Sequence, residues 1–397
     1  MTEPATQIRR MSTEEMLDVL FPLARYAFHA SPPFGDREEW DEVIRGRQGV
    51  TYFALFEEGR PVATVAGTDM TQQVRGRLYD ASGVWGVTTH PAARRRGYCR
   101  RLMAALLADN REAGRPLSCL YPFRESFYGR LGYVTFPLPC TARLKPAALA
   151  PLLEQDLGGT VEMMLIGDGY DLYREYVERL QERVHGLGLF VHGEKARAQA
   201  QNRSWLALAR VGGEVVGLLL YHLKGEEPTR LMLRAYRLYY DTSQAKYLLL
   251  QWIARHVDQA AEAEIWLPPY EQPETWLADI GVGTESQTRA PMGRVVDVAG
   301  LAGMGTGPGR FAARITDPLC PWNEGAWSFE TADGVLHVTR SGQSGCELTI
   351  QGLSALVYGT HDPGDFQFRG WGDPPPQVQA AMRAVFPPRT PYLHEHF

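Results

Sequence analysis

The stretch Val87-Thr88-Thr89-His90-Pro91-Ala92-Ala93-Arg94-Arg95-Arg96-Gly97-Tyr98-Cys99-Arg100-Arg101-Leu102 decides the fold. Its first residues end a β-branched and aromatic run, Gly83–Thr89, that reads as a strand. Pro91 stops the run. From about Arg94 to Glu112 an apolar stripe predicts a helix, closed by Gly114. Five of the eight residues from Arg94 to Arg101 are arginine. That placement opposes the helix dipole, because each cation near a helix N-terminus costs ~0.3–1 kcal/mol. An anion docked on the open N–H groups removes the conflict, and phosphate suits such a site. Gly97 lets the backbone approach a pyrophosphate closely. A solvated arginine face is the ordinary alternative, but strand, turn, arginines and glycine in succession favour phosphate. The motifs G-x-x-x-x-G-K-[ST] and G-x-G-x-x-G are both absent.

Around this stretch the chain repeats an order of elements. Tyr52–Phe56 and Pro61–Thr68 flank the turn Glu57-Glu58-Gly59-Arg60 and predict a hairpin; a short strand, Leu117–Tyr121, follows the helix. A helical turn near Arg124–Leu131 and a strand from Tyr133 come next. Later, Trp205–Arg210 and Glu214–Leu223 flank Gly212-Gly213, Leu231–Tyr240 reads as a third strand, Ser243–Ala261 as helix and Glu264–Leu267 as strand. Tyr52 and Trp205 lie 153 residues apart, as do Val62 and Val215, while Leu117 and Glu264 lie 147 apart. Preserved order and spacing predict an internal duplication. The second copy's helix begins Asp241-Thr242-Ser243-Gln244-Ala245-Lys246-Tyr247, without the arginines or the glycine. One active site per chain is expected, in the first copy.

After about Pro291 the composition changes. Gly300–Gly309 holds five glycines and a proline and reads as a linker; Ala326–Thr331, Gly334–Arg340 and Cys346–Gln351 read as antiparallel strands. Leu353–Tyr358 and Pro375–Val385 read as helices, giving a separate α+β domain.

The 397 residues predict two to four domains, and 44% hydrophobic with 22% charged residues excludes wholesale disorder. A net charge of −5 argues against a nucleic-acid partner. Cys99, Cys119, Cys140, Cys320 and Cys346 are scattered, with no C-x-x-C pair, which suits a reducing compartment and predicts no metal site. Met1–Met16 is polar, predicting no signal peptide. The longest apolar stretches, Gly217–Leu223 and Tyr247–Ala254, fall short of the ~20 residues of a membrane span. A soluble cytoplasmic protein with no membrane partner is expected.

Arg94-x-x-Gly97-x-Cys99 resembles the acetyl-CoA loop of GCN5-related N-acetyltransferases (GNAT), [QR]-x-x-G-x-[GA], with Cys99 as the departure. Together with Phe123-Arg124-Glu125-Ser126-Phe127-Tyr128-Gly129-Arg130-Leu131-Gly132-Tyr133, the string Arg94–Leu102 resembles the enhanced intracellular survival (Eis) family over the whole chain. The resemblance implies an α+β fold: two tandem GNAT-like mixed α/β domains, the second degenerate (1–145 and 146–290), then a sterol-carrier-protein-like α+β domain (291–397). It implies an acetyl-CoA-dependent N-acetyltransferase acting on a primary amine (aminoglycoside, polyamine, small amine or lysine side chain) by direct attack in a ternary complex. The backbone of Val87 and Thr89 would hold the pantetheine arm, and Arg94, Arg95, Gly97, Tyr98 and Cys99 the pyrophosphate. Tyr128 would be the general acid and the α-carboxylate of Phe397 the general base. Phe28 and Trp40 match aromatic acceptor-pocket positions. Ala30 and His396 stand where relatives acting on polycationic aminoglycosides place acidic contacts. A homo-oligomer, commonly a hexamer, is the family's assembly. The alternatives are a non-catalytic or lipid-binding protein using the C-terminal domain, and an acyltransferase with a longer donor.

Overall fold

The computed structural model describes residues 5–29 and 31–397; Ala30, with its expected place in the acceptor pocket, lies outside the described residues, as do residues 1–4. The chain forms two compact units. The first takes the chain up to Pro137 with Gln181–Gly193 and Arg289–Phe397, and the second takes Leu138–Leu180 and Glu194–Thr288. The structure therefore draws its lines elsewhere than at 145 and 290, and places the first and last thirds of the chain in one unit.

The first unit opens with β1 (Thr6–Met11), α1 (Thr13–Ala24) and α2 (Arg37–Arg45), followed by β2 (Val50–Glu57), β3 (Arg60–Val74) and β4 (Arg77–Thr89). Then come α3 (Tyr98–Glu112), β5 (Leu117–Leu120), α4 (Glu125–Gly129) and β6 (Val134–Thr135). Both faces of the sheet are covered, so β2 reads as a continuous apolar run rather than an alternation. Tyr52, Ala54 and Phe56 join the cluster of Met16, Leu17 and Leu20 from α1; Leu55 joins that of Leu102, Leu106 and Leu107 from α3. The helix expected from Arg94 begins at Tyr98, because Arg95 and Gly97 take left-handed backbone that no helix admits.

The second unit holds β7 (Cys140–Leu144), β8 (Thr160–Leu165) and nearly all of α5 (Ile166–Gln181). After β9 (Gly188–Phe190), which pairs with β3 of the first sheet, it resumes with α6 (Lys195–Gln201), β10 (Trp205–Val211), β11 (Glu214–Lys224) and β12 (Leu231–Tyr240). It ends with α7 (Ser243–Ala254), β13 (Ala260–Leu267) and β14 (Gly283–Ser286). The helix expected to reach Ala261 stops at Ala254: hydrogen-bonded turns through His256 and Gln259 lead the chain into β13. The order β8-β10-β11-β12-β13 reproduces β1-β2-β3-β4-β5, antiparallel throughout except for the parallel last pair that follows the helix. Two sheets with one topology are what a duplication leaves.

The last segment is β15 (Met292–Val295), β16 (Arg310–Thr316), β17 (Gly325–Ala332), β18 (Val335–Arg340), β19 (Cys346–Thr349), α8 (Ile350–Tyr358), α9 (Phe366–Arg369) and α10 (Pro376–Val385). The first sheet takes β9 and β15 from distant parts of the chain, and in both sheets a strand is inserted out of sequence order. β15 lies between β5 and β6, while β7 lies between β13 and β14. The four-stranded sheet runs β18-β17-β16-β19, and β19, expected antiparallel, is parallel to β16. Leu353, Leu356 and Val357 of α8 share one apolar cluster with Met70, Tyr79, Ala81 and Cys119 of the first sheet. That shared core makes the first and last thirds one unit.

Candidate active site

The wedge at the end of β4 is written into its pairing. β4 and β5 pair only from Ala81↔Leu117 to Val84↔Leu120, and β4 then runs on through Thr89 against β3 alone. Ala66 pairs with Trp85 but Thr64 with Thr88, so Gly86 and Val87 face the single residue Val65. Gly86 has φ +59°, and the Thr64 hydroxyl donates to its carbonyl at 2.9 Å. Such a bulge bends and twists a strand. It turns the backbone of Val87 and Thr89 out of the ladder with β5, leaving main-chain donors and acceptors for an extended ligand.

Beyond Thr89 the chain makes one 3₁₀ turn (Pro91–Ala93), whose Ala92 N–H donates to His90 Nδ1 at 3.3 Å. Arg95 (φ +64°) and Gly97 (φ +77°) then take left-handed backbone, the conformation from which anion-binding turns are built. No side chain caps α3 and its first turn has no acid; its first internal bond is Arg101 N–H to Gly97 C=O, 3.1 Å. The amides of Tyr98, Cys99 and Arg100 thus stay open to an anion. A Cβ at Gly97 would meet nothing within 4 Å, so space lies over this turn. In the second unit the Thr242 side chain accepts from Ala245 N–H and closes the N-terminus of α7.

The arginines are not equivalent. Arg96 is paired with Glu57, and Arg101 donates to Thr6 Oγ1 at 2.8 Å. Arg94 reaches the Thr89 carbonyl at 3.4 Å and lies 5.7 Å over the Tyr26 ring. Arg95 and Arg100 have no ion pair among the described residues. The Tyr98 ring is buried in the core with Leu102 and Tyr133, and Arg96 of the loop hydrogen-bonds to its side chain.

Tyr128, on α4, packs its ring against Phe123, Phe127 and Tyr133 at 5.8, 5.1 and 6.1 Å between centroids. It is nearly fully buried, yet its hydroxyl has no hydrogen-bond partner among the described residues. The Tyr133 hydroxyl, by contrast, is bonded to Ser118 at 2.8 Å. Burial holds the Tyr128 phenol well above its usual 10, with the Cys99 thiol a further influence in the same direction. The Cys99 thiol is itself pushed up to about 12 by burial and stays protonated at neutral pH.

The tail is an ordered part of this site. Tyr392, Leu393 and His394 are buried, and Tyr392 N–H donates to the His185 carbonyl at 2.9 Å. The His396 ring stacks on Tyr121 at 4.8 Å, and Phe397 meets Tyr121 and Phe190 at 5.8 Å each. A Cβ at Gly83 would lie 3.0 Å from the Phe397 ring. Gly83 pairs with Cys119 one step before β4 and β5 part. Phe397 is therefore seated at the apex of the wedge, touching the same apolar cluster as Tyr128 and Val87.

Phe28 and Trp40 are not brought into contact. Phe28, on the π-helical turn Arg25–His29, is 58% exposed, whereas Trp40 packs edge-on to Phe21 at 5.1 Å beside Arg37. The sequence reading missed Tyr121, Phe123 and Gly83. A glycine inside a strand marks close approach by another group, and Gly83 carried that signal.

Among the described residues no helix is long and apolar enough to cross a membrane. Comparison with known proteins places a GNAT acetyltransferase domain at residues 7–136 and a sterol carrier protein domain at residues 300–394. An uncharacterized N-acetyltransferase of Streptomyces griseus is 33% identical over 138 residues, a match spanning 33% of this chain and 31% of the relative. Among solved structures, a GCN5-related N-acetyltransferase from Kribbella flavida superposes with TM-score 0.81 at 22% identity, over 99% of each chain. One from Anabaena variabilis gives 0.82 at 18%, covering 99% of this chain and all of its own. Eis1 from Mycobacterium abscessus gives 0.78 at 17%, with the same coverage. Residues 7–136 are thus a GNAT acetyltransferase domain and residues 300–394 a sterol carrier protein domain, in a chain that shares its fold from end to end with Eis1 and other GCN5-related N-acetyltransferases.

Proposed function

We propose that the chain is an N-acetyltransferase of the Eis type that moves the acetyl group of acetyl-CoA to a primary amine by direct attack. The observation that carries this reading is the convergence, at one parted strand pair, of an uncapped helix N-terminus, a buried tyrosine with a free hydroxyl, and Phe397. The amides after Gly97 would hold the pyrophosphate and the backbone of Val87 and Thr89 the pantetheine arm, as the open loop and the bulged strand suit.

With Phe397 as the last residue, its carboxylate takes a proton from the acceptor ammonium. The freed amine attacks the thioester carbonyl, forming the C–N bond as the C–S bond breaks. Tyr128 donates its proton to the departing thiolate and takes back the proton that the new amide nitrogen sheds, so the phenol is restored and the products are a neutral amide and a thiol. In water the thiolate of a thiol with pKa ~8.5 is a weaker base than a tyrosine phenolate. The same dry surroundings that hold the phenol's proton also raise the basicity of the leaving sulfur. Cys99, kept as a thiol, is unsuited to carry the acetyl group, which supports direct transfer over an acyl-cysteine.

The acceptor is a small molecule or a lysine side chain, and the assembly a homo-oligomer, a hexamer by the family's habit. The test is thiol release from acetyl-CoA with a panel of amines, alongside donors of increasing acyl length. Turnover with at least one amine and with the acetyl donor is expected; binding of acyl-CoA or lipid with no turnover across the panel would overturn the reading.

A further inference from the structure

The turn that carries Tyr128 is held from a part of the chain more than 150 residues away. α4 has five residues, and a helix this short leaves most of its carbonyls without internal partners. The Tyr128 carbonyl is satisfied nearby, by Leu131 N–H at 2.9 Å and Tyr133 N–H at 3.2 Å. The next carbonyl, of Gly129, accepts from Gly132 N–H at 3.2 Å and from Gln351 Nε2, on the first turn of α8, at 2.8 Å. Arg294 of β15, wholly buried, donates to the Leu131 carbonyl. The same guanidinium is anchored to Asp317 at 2.6 Å, and Asp317 also accepts from Asn323 Nδ2 at 2.9 Å. Gly132 (φ +92°) makes the approach possible: a Cβ there would lie 2.7 Å from Arg294 Nη1 and 2.8 Å from Ile350 Cγ2. α4 has no other side-chain hydrogen bond to its carbonyls among the described residues.

We propose that Gln351 is a positioning residue for Tyr128: the C-terminal domain sets the place of the leaving-group proton donor by gripping the end of α4. This rests on the reading of Tyr128 as that donor. The tip of a short helix moves readily when one of its anchors is lost, and a shift of about 1 Å in a reacting group is enough to lower a rate strongly. The hydroxyl itself has no hydrogen-bond partner among the described residues to recentre it, so its aim depends on the backbone beneath it. Arg294 grips the same turn but also completes a buried charge pair, so Gln351 is the side chain that can be changed without stranding a charge.

The experiment is a double-mutant cycle with Gln351→Met, which keeps the side chain's length and removes its donor, in the native and Tyr128→Phe backgrounds. Gln351→Glu, of the same shape and also unable to donate when ionised, repeats it should the methionine variant fold poorly. In the native background kcat falls about three- to tenfold, the range for losing one hydrogen bond, with KM for acetyl-CoA within about twofold. In the Tyr128→Phe background the same change costs nothing further, because the group being positioned is gone. An undiminished loss on top of Tyr128→Phe, or an unchanged kcat in the native background, overturns the proposal. If Tyr128→Phe alone keeps full activity, it is the proton-donor reading that fails, and the positioning role falls with it.

Discussion

Tyr128→Phe deletes one oxygen from a side chain whose ring is packed on three aromatic neighbours and whose hydroxyl bonds to no described residue. Nothing is stranded by the loss, so stability should move by less than about 0.5 kcal/mol. Activity should fall by ~10²–10⁴ in kcat, the usual contribution of a positioned acid. Tyr133→Phe, in the turn just before β6, is the matched control. Its hydroxyl is bonded to buried Ser118, so its removal should cost ~1–3 kcal/mol of stability and leave kcat within a few-fold. Thiol release gives the rates and urea unfolding the stabilities. The direction of the phenol's shift adds a pH signature: raised by burial, Tyr128 keeps its proton, so the native rate should show no descending alkaline limb from this group up to about pH 10. A Tyr128→Phe rate within threefold of native, or a limb near pH 9 that the substitution abolishes, would refute the reasoning.

Gly97→Ala forces a side chain into left-handed backbone at φ +77°, with a cost of ~1–2 kcal/mol; KM for acetyl-CoA should rise more than kcat falls. Gly83→Ala puts a methyl 2.5 Å from Met70 Sδ and 3.0 Å from the Phe397 ring; it should lower kcat by displacing the tail and cost ~1–3 kcal/mol by overpacking, both read in the same two assays. His185 is buried as neutral imidazole, with burial lowering its pKa from 6.5 to about 3. The unfolded chain therefore takes up a proton below about pH 6.5 that the folded chain refuses. Stability should fall as pH drops from 6.5 toward 3, by roughly 2 kcal/mol at pH 5, and His185→Gln should flatten that part of the urea-midpoint profile.

What could be read from the residues alone was the local grammar of the site. A strand, a proline, arginines and Gly97 marked the strand–turn–helix unit, although its helix starts at Tyr98 because two left-handed residues intervene. The duplication was legible because strand spacing survives when identity does not. The placement of β7 and β15 was not legible: each is a strand of only four or five residues with an arginine in it, too short for its pattern to name a sheet. Parallel pairing of β19 was hidden for a similar reason, since one face of a short strand reads alike in both directions. The pairing of Gln351 with Gly129, 222 residues apart, is a matter of packing that no local pattern encodes.

The central claim is that Phe397, where it ends the protein, brings its carboxylate to one reaction site with the loop after β4. A single glycine appended after Phe397, on protein whose intact mass confirms the terminus, moves that charge by ~3.3–3.6 Å, beyond the ~2.6–3.2 Å reach of proton transfer. The account predicts that kcat falls by ~10²–10⁴, while the urea midpoint and KM for acetyl-CoA hold and Phe397→Leu at the true end is milder. Full activity in the extended protein would contradict it, and would turn attention to Glu395 or His396 acting through water.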